Sequence, residues 1–224
     1  MKILIYGQNT EEVKTLIQKA GLEIVAEDPD AIAVCGGDGT FMKSEKDFPG
    51  VPKFIIQKSK TSKKGHEAEP AELIEKIVRG RYHINEEIKI EAVAKGQNLI
   101  GLNEIIIHNT DPRKAIRYNV FVNDKQVAGD IIGDGVVIST PYGSTGYYRS
   151  ITDGMFEVGM GIAFNNSTEQ VDHMVLKEDT KIKIKIVRGI AHAYADNDEK
   201  EIELNDNDEI VITKSTETAK IIHF

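Results

Sequence analysis

The hydrophobic pattern of this chain changes period near residue 82, and this change constrains the fold more than any other feature. Before it, apolar runs of strand length alternate with stretches of helical periodicity. After it, short runs of alternating apolar and polar residues follow one another without helices. We therefore predict an α/β domain over residues 1–82 and a β-rich, β-sandwich-like domain over residues 83–214.

The first domain begins with apolar runs that predict strands at 3–6, 31–35 and 53–57. A helix is expected after the first strand, with Asn9 as its N-cap, Glu12 in the capping-box position and Gly21 just beyond its end. Another helix is expected to begin at Pro70 and to stop before Gly80. This succession of strands and helices predicts a parallel sheet.

Composition limits the classes of protein to which the chain can belong. With 224 residues, 40% hydrophobic and 29% charged, we expect a soluble globular protein. No apolar run approaches the roughly 18 residues of a membrane-spanning helix, and a net charge of -8 argues against general nucleic-acid binding. The single cysteine, Cys35, cannot form an intramolecular disulfide, and we expect a cytoplasmic location. The histidines form no close pair, so we predict no structural metal held by the protein.

The second domain is predicted to consist mostly of antiparallel strands. Its clearest alternation is KIKIKIV at 181–187, where isoleucines point to one side and lysines to the other, which is typical of a solvated face. Asn123 and Asp124 lie between two apolar runs and predict a hairpin turn.

The sequence GGDGT at 36–40 follows the predicted strand at 31–35. Glycines after a strand leave backbone N–H groups uncovered, so that a phosphate can approach closely. A carboxylate beside a phosphate repels it unless the carboxylate holds a metal ion or accepts a proton, so Asp38 suggests catalysis. Taken alone, an ordinary Asp-Gly turn explains the motif as well.

Another Gly-Asp-Gly, at 133–135, precedes the strand VVIST and the segment PYGSTGYYRS. Glycines 143 and 146 permit close approach, and Tyr147 and Tyr148 offer flat faces for a base. We expect a nucleotide subsite here, with hydroxyls supplied by residues 139, 140, 144 and 145. Between the two Gly-Asp-Gly motifs lies Asn103-Glu104, an amide beside a carboxylate that could bind adenine edges or ribose hydroxyls.

In this order, GGDGT, Asn103-Glu104 and DGVVISTPYGSTGYY resemble the motifs of the NAD kinase family. The resemblance implies phosphoryl transfer from ATP, or from polyphosphate, to the 2′-hydroxyl of the adenosine ribose of NAD. It implies that Asp38 is the proton acceptor, which agrees with the need of a ribose hydroxyl for a base. It also implies that the active site lies in the cleft between the domains and that residues 215–224 rejoin the first domain.

The resemblance also assigns roles to binding residues. It implies that Gly37 and Gly39 leave room for the phosphates, that Asn103 and Glu104 hold the nicotinamide-side ribose and the adenine region, and that Asp134 binds the nicotinamide end. The adenosine half is expected against a segment that includes Thr145, Gly146, Tyr147 and Ser150. Lys114 matches a position that is often basic in the family, near the substrate phosphates. Lys43 follows GGDGT, where some members carry a basic residue, and each lysine is equally well read as a solvated one.

Three departures from the family pattern stand out. The N-x-G-x-x-G-F segment of the family is replaced by FIIQKSKTSKKG at 54–65, whose lysines 58, 60, 63 and 64 either supply charge for phosphate or form an ordinary exposed loop. Ile132 stands where many relatives have arginine, and MFEVGMGIAFNNS at 155–167 replaces a proline-rich, histidine-containing segment.

The partners expected from the resemblance are NAD, with ATP or polyphosphate, and Mg²⁺ that arrives with the nucleotide. A homodimer or homotetramer is expected as well. Two alternatives remain open at this point: a non-catalytic protein that binds NAD or NADP, and a kinase for another hydroxyl substrate, because GGDGT also occurs in related lipid and sugar kinases.

Overall fold

The computed structural model describes residues 1–57, 68–169 and 173–224. They form two compact units, one of residues 1–87 with 218–224 and the other of residues 88–217. The domain boundaries predicted from the sequence lie five residues (87 − 82) and three residues (217 − 214) before these divisions. Among the described residues, no helix is both long and apolar enough to cross a membrane.

The first unit is an α/β structure whose strands run parallel. Its sheet order is β2-β1-β3-β4, followed by the last residues of β16 (Glu209–His223), which pair in parallel with β4. This confirms the predicted strands, the helix that begins at Pro70 and the parallel sheet. The elements are β1 (Lys2–Gly7), α1 (Glu11–Lys19), β2 (Glu23–Ile24), β3 (Ala31–Cys35), α2 (Asp38–Asp47), β4 (Lys53–Gln57) and α3 (Pro70–Val78).

The core of the first unit follows from the spacing of its apolar residues. Val13 and Ile17 on α1, with Leu73 and Ile77 on α3, pack with alternate residues of the strands. All five residues of β3 are buried, as expected for a strand that is covered on both faces. Complete burial of one such aliphatic side chain contributes about 1.5–3 kcal/mol.

The start of α1 differs from the prediction. Thr10, not Asn9, is the N-cap residue, and Asn9 has a left-handed backbone with φ 55°. Gly7 also has positive φ, so the chain turns sharply between β1 and α1 and the helix begins one residue later. Gly21 follows the C-cap with φ 74°, as predicted.

The sequence-based reading of 36–40 as a loop missed the helix that begins inside it. Asp38 is the first residue of α2, and Gly37 is its N-cap. Gly37 and Gly39 lower the helix propensity at this end, so the sequence pattern did not indicate a helix. Burial of Phe41 and Met42 supplies the stability that propensity does not.

The second unit is a sandwich of two antiparallel sheets. One contains β16-β13-β8-β9 with β5 and β6, and the other has the order β12-β11-β10-β7-β14-β15. Its elements are β5 (His83–Ala94), β6 (Gln97–Gly101), β7 (Glu104–Asn109), β8 (Ile116–Val122), β9 (Lys125–Gly133), β10 (Gly135–Ser139), α4 (Tyr147–Thr152), β11 (Met160–Asn165), β12 (Met174–Leu176), β13 (Ile182–Arg188), β14 (Ala191–Ala195), β15 (Glu201–Leu204) and β16 (Glu209–His223).

The alternation in this unit places one apolar face of each sheet in a shared core. Ile182, Ile184 and Ile186 on β13 are fully buried, while the lysines between them lie on the outer face, as predicted. Asn123 and Asp124 form the turn of the β8–β9 hairpin, both with positive φ. Strands β6, β11, β12 and β14 were not predicted from the sequence. The expectation of no helices after residue 82 was wrong, because α4 lies in this unit.

Candidate functional site

Asp38 lies at the carboxyl edge of the parallel sheet in the first unit. Strands β1 and β3 are parallel and end at Gly7 and Cys35, so the turns that follow them share one edge. The N–H of Gln8 donates to the carbonyl of Cys35 at 3.2 Å. Gly36 must be glycine, because a Cβ there would overlap the Thr40 side chain. This edge is where open α/β sheets bind their ligands.

The geometry at the start of α2 determines which groups surround the Asp38 carboxylate. The carbonyl of Gly37 accepts the N–H of Phe41 at 3.1 Å, which leaves the first-turn N–H groups directed out of the helix end. Asp38 is half-buried and Gly39 is exposed. Lys43 is exposed five residues further on, about 140° around the helix from Asp38. The structure therefore does not bring Lys43 onto the face of Asp38.

A buried ion pair fastens α2 to the start of β4. The ammonium of Lys53 lies 2.6 Å from a carboxylate oxygen of Glu45, and both side chains are almost fully buried. Lys53 also donates to the carbonyls of Phe48 (2.6 Å) and Val51 (2.8 Å), and the N–H of Gly50 donates to Glu45 at 3.1 Å. The pair fixes the far end of the helix that carries Asp38.

In the second unit, the Asn103-Glu104 turn carries the chain from β6 to β7, which belong to different sheets. The carboxylate of Asp196 accepts the N–H groups of Leu102 at 2.8 Å, Asn103 at 2.7 Å and Glu104 at 3.1 Å. The N–H of Asp196 donates to the carbonyl of Glu104 at 3.0 Å. Sequence reasoning did not identify Asp196.

The carbonyl groups of the same turn are bound by the segment that follows β10. Thr140 donates its N–H to Asn103 at 2.9 Å and its hydroxyl to Leu102 at 2.6 Å. A Cβ at Gly143 would overlap the backbone of Asn103. The Asn103-Glu104 motif and the segment expected to form a nucleotide subsite are therefore in direct contact.

The predicted role of the hydroxyl groups in this segment needs correction. Ser139 and Thr140 are fully buried and donate to backbone carbonyls, and Ser144 donates to the carbonyl of Phe156 at 2.9 Å. These hydroxyls bind the protein's own backbone. Thr145 is half-buried, whereas Ser150 is exposed and donates its hydroxyl to the carbonyl of Tyr147 at 2.7 Å.

Asp134 is held between two asparagine amides. Asn109 donates to one carboxylate oxygen at 3.2 Å, and Asn166 donates to the other at 2.7 Å. Asn109 also donates to the carbonyl of Lys114 at 3.0 Å, which ties the loop carrying Lys114 to the Asp134 position. The Lys114 side chain itself is 79% exposed. Ile132, where arginine was expected, pairs with Arg117 across the β8–β9 hairpin.

Tyr147 lies among the acidic residues of this unit. Burial raises the pKa of its phenol, the charge of Asp134 raises it further, the hydrogen bond from Asn165 lowers it, and the charge of Glu104 raises it. The amide of Asn165 donates to the phenol oxygen at 3.0 Å. A Cβ on Gly146 would lie 3.8 Å from a carboxylate oxygen of Glu104. Glu104, which is buried, thus lies close to Asp134, Gly146 and Tyr147.

The predicted site residues divide between the units. Four belong to the first unit, namely Gly37, Asp38, Gly39 and Lys43, and the others to the second, namely Asn103, Glu104, Lys114, Asp134, Thr145, Gly146, Tyr147 and Ser150. The lysines at 58, 60, 63 and 64 lie outside the described residues. Within the described part of the chain, no group of three or more His, Cys, Asp or Glu side chains could hold a metal ion.

Four side chains that organise these surfaces escaped sequence reasoning: Asn109, Asn165, Asn166 and Asp196. The adjacent asparagines end the apolar run of β11, which is a detectable signal for polar groups at a sheet edge. Asp196 stands in the acidic turn ADND after β14, in a segment that weakly resembles a turn and strands near the end of the family sequence, but the resemblance assigns Asp196 no role. Its partners lie more than ninety residues away in the sequence, so spacing alone does not reveal it.

Solved structures share this arrangement of elements. The chain matches an NAD kinase from Archaeoglobus fulgidus in complex with ATP with a TM-score of 0.82 and 21% identity, over 99% of this chain and 93% of that one. It matches yeast NADH kinase complexed with NADH with a TM-score of 0.81 and 16% identity, over 100% of this chain and 83% of that one. The chain therefore has the NAD kinase-like fold, which confirms the predicted fold class.

Sequence comparison agrees with the fold. Residues 102–224 match the family model of the ATP-NAD kinase C-terminal domain. An NAD kinase from Sulfurisphaera tokodaii is 29% identical over 248 aligned positions, which cover 100% of this chain and 96% of that protein. The chain belongs to the ATP-NAD kinase family, as the sequence motifs indicated.

Proposed function

We propose that this protein is an NAD kinase that transfers the terminal phosphoryl group of ATP to the 2′-hydroxyl of the adenosine ribose of NAD. The observation that carries the proposal is the presence of the three motifs, in order, on the NAD kinase-like fold, with Asp38 at the carboxyl edge of the parallel sheet. Relatives are named NAD kinase, and solved structures of this fold contain ATP or NADH.

Asp38 is the general base of the proposed reaction. Its carboxylate takes the proton of the 2′-hydroxyl while that oxygen bonds to phosphorus, and ADP leaves with the electron pair of the broken P–O bond. The open N–H groups of the glycine turn and of the first turn of α2 are suited to phosphate oxygens. The substrate is the magnesium complex of ATP, in which the cation neutralises phosphate charge.

The second unit supplies the proposed dinucleotide surface. Asn103 and Glu104 hold ribose and adenine groups, and Asp134 binds the nicotinamide end. Tyr147, with its phenol fixed by Asn165, offers a ring face to the adenosine half, beside Gly146 and Thr145. Lys114 is an exposed cation available to substrate phosphates, whereas Lys43 lies away from the face of α2 that carries Asp38.

The test is NADP formation by the purified protein from NAD and Mg-ATP, with polyphosphate as a parallel donor and NADH as a parallel acceptor. The proposal expects NADP with at least one donor. Tight binding of NAD without product from any donor supports the non-catalytic alternative. Phosphorylation of another acceptor alcohol, but not of NAD, supports the other kinase. We also propose that the protein is cytoplasmic and that it forms a homodimer or homotetramer. Light scattering at several protein concentrations tests the oligomeric state.

A further inference from the structure

Asp196 lies in a turn to which the proposed function assigns no role. The residue is half-buried just beyond the end of β14 and has a left-handed backbone, with φ 50°. Both oxygens of its carboxylate accept hydrogen bonds, one from Leu102 and the other from Asn103 and Glu104. One side chain thus binds three consecutive N–H groups of a distant turn.

The bound turn needs such a partner because of where it lies. Strand β6 ends at Gly101 and pairs in one sheet, whereas β7 begins at Glu104 and pairs in the other. Residues 102 and 103 lie between these strands, so their N–H groups have no place in a strand ladder. Backbone N–H groups away from water need an acceptor, and a carboxylate is the strongest one available.

Other contacts fix the carbonyl groups and the backbone of the same turn. Thr140 binds the carbonyl groups of Leu102 and Asn103, and a side chain at Gly143 would collide with Asn103. A Cβ on Gly101 would lie 2.6 Å from the carbonyl oxygen of Glu104 and 3.3 Å from Asp196. Both the N–H groups and the carbonyl groups of residues 102–104 therefore have fixed partners. These partners determine the path of the backbone and hence the directions in which the side chains of Asn103 and Glu104 leave it.

We propose that Asp196 is a positioning residue for dinucleotide binding: by holding the N–H groups of residues 102–104, it orients Asn103 and Glu104 toward NAD. Asp196 acts through these residues and does not itself touch the substrate. The inference rests on the proposed function, because that function makes Asn103 and Glu104 the residues that bind NAD.

The decisive variant is Asp196→Asn, which keeps the size of the side chain. The asparagine amide places an NH₂ group where one carboxylate oxygen of Asp196 accepts a hydrogen bond. At least one N–H of residues 102–104 then faces a donor instead of an acceptor. We expect KM for NAD to rise at least tenfold while KM for Mg-ATP stays within about twofold. Hydrogen exchange of the amides at 102–104, read by mass spectrometry, should speed up in the same variant.

The matched control is Asp206→Asn, in which the same chemical change affects a carboxylate that accepts one N–H, that of Gly189, at 2.8 Å. Both Michaelis constants should stay within about twofold of the unchanged protein. If Asp196→Asn does not fold, Asp196→Glu retains the charge but displaces the carboxylate, and it should show the same selective rise in KM for NAD.

The proposal is overturned if the KM values for both substrates rise equally, or if KM for NAD is unchanged although the amides at 102–104 exchange faster. Either result would mean that Asp196 has only a structural role. If the unchanged protein forms no NADP, the proposed function fails, and equilibrium titration with NAD then decides the inference: it survives if Asp196→Asn weakens NAD binding at least tenfold, and it fails if binding is unchanged or absent in both proteins.

Discussion

The two units build their proposed functional surfaces in opposite ways. In the first unit, the proposed base lies within one continuous stretch, residues 31–47, that runs from strand β3 through the glycine turn into α2. In the second unit, the surface is assembled from separate segments around residues 103, 109, 134, 147, 165 and 196, joined by side-chain hydrogen bonds.

This difference predicts which substitutions should reduce activity and which should weaken binding. A surface built from one stretch depends on the strand and helix that carry it, so a change in the single chemical group should remove activity without disturbing binding. A surface assembled from distant segments depends on the bonds between them, so changes in residues that never touch substrate should weaken binding. Four experiments, each comparing two variants, test this contrast in order of decreasing effect.

Asp38→Asn should have the largest effect. It removes the proton acceptor while keeping the shape of the side chain, so kcat should fall by about 10²- to 10⁴-fold. The dissociation constant of NAD, measured by titration calorimetry, should stay within about twofold. Asp28→Asn is the control, because Asp28 is exposed and asparagine tolerates its left-handed backbone. A variant with normal turnover would remove Asp38 from the mechanism.

Lys53→Met tests the support of the first unit. The substitution leaves the buried Glu45 carboxylate without its cation, and removal of one partner from a buried pair costs about 3–5 kcal/mol in the free energy of unfolding. Lys76→Met breaks an exposed pair with Glu72 on α3 and should cost at most about 1 kcal/mol. Urea denaturation measures both values. Equal losses in the two variants would contradict this account of how α2 is anchored.

Gly143→Ala tests the contact between the two motifs of the second unit. The added methyl group collides with the backbone of Asn103 and should lower the free energy of unfolding by about 1–3 kcal/mol. NAD affinity should fall in the same variant. Gly154→Ala is the control, because a Cβ there meets its nearest neighbour, the Thr152 hydroxyl, at an ordinary 3.6 Å. The contact does not control binding if NAD affinity is the same in both variants.

The smallest effects are expected for Asn166→Asp and Asn165→Asp, which make the same chemical change at neighbouring positions. Asn166 donates to the Asp134 carboxylate, so a carboxylate in its place faces a like charge, and we expect a loss of about 1–2 kcal/mol in unfolding free energy. Asn165 donates to the Tyr147 phenol, which can turn its own proton toward a new carboxylate, so the expected loss is below about 0.5 kcal/mol. Thermal denaturation of the two variants at neutral pH tests the order, and the reverse order would contradict these partner assignments.

The same contrast explains how much of the molecule could be predicted from the sequence. Period-2 and period-3.6 patterns are local, so the strands around Ile32 and Ile184 and the helix from Pro70 were predicted correctly. The helix α2 was missed because glycines at its start conceal it, although burial of Phe41 stabilises it.

The residues of the proposed sites show the same contrast between local and long-range features. A Gly-Asp-Gly motif is contiguous and can be recognised in the sequence, so Asp38 and Asp134 could be selected directly from it. Asp196 could not, because its role depends on a turn more than ninety residues earlier in the sequence, which only the folded structure brings next to it. The buried pair of Lys53 and Glu45 was likewise missed, since two ordinary charged residues give no sign that packing will remove them from water.

The central claim is that Asp38 takes the proton of the acceptor hydroxyl, and a crystal structure of the protein with NAD bound tests it most directly. The measurement is the distance between the Asp38 carboxylate and the 2′-oxygen of the adenosine ribose. The account predicts hydrogen-bond reach, about 2.6–3.2 Å. A 2′-oxygen bound to another group and more than about 5 Å from Asp38, beyond the reach of one bridging water, would contradict it.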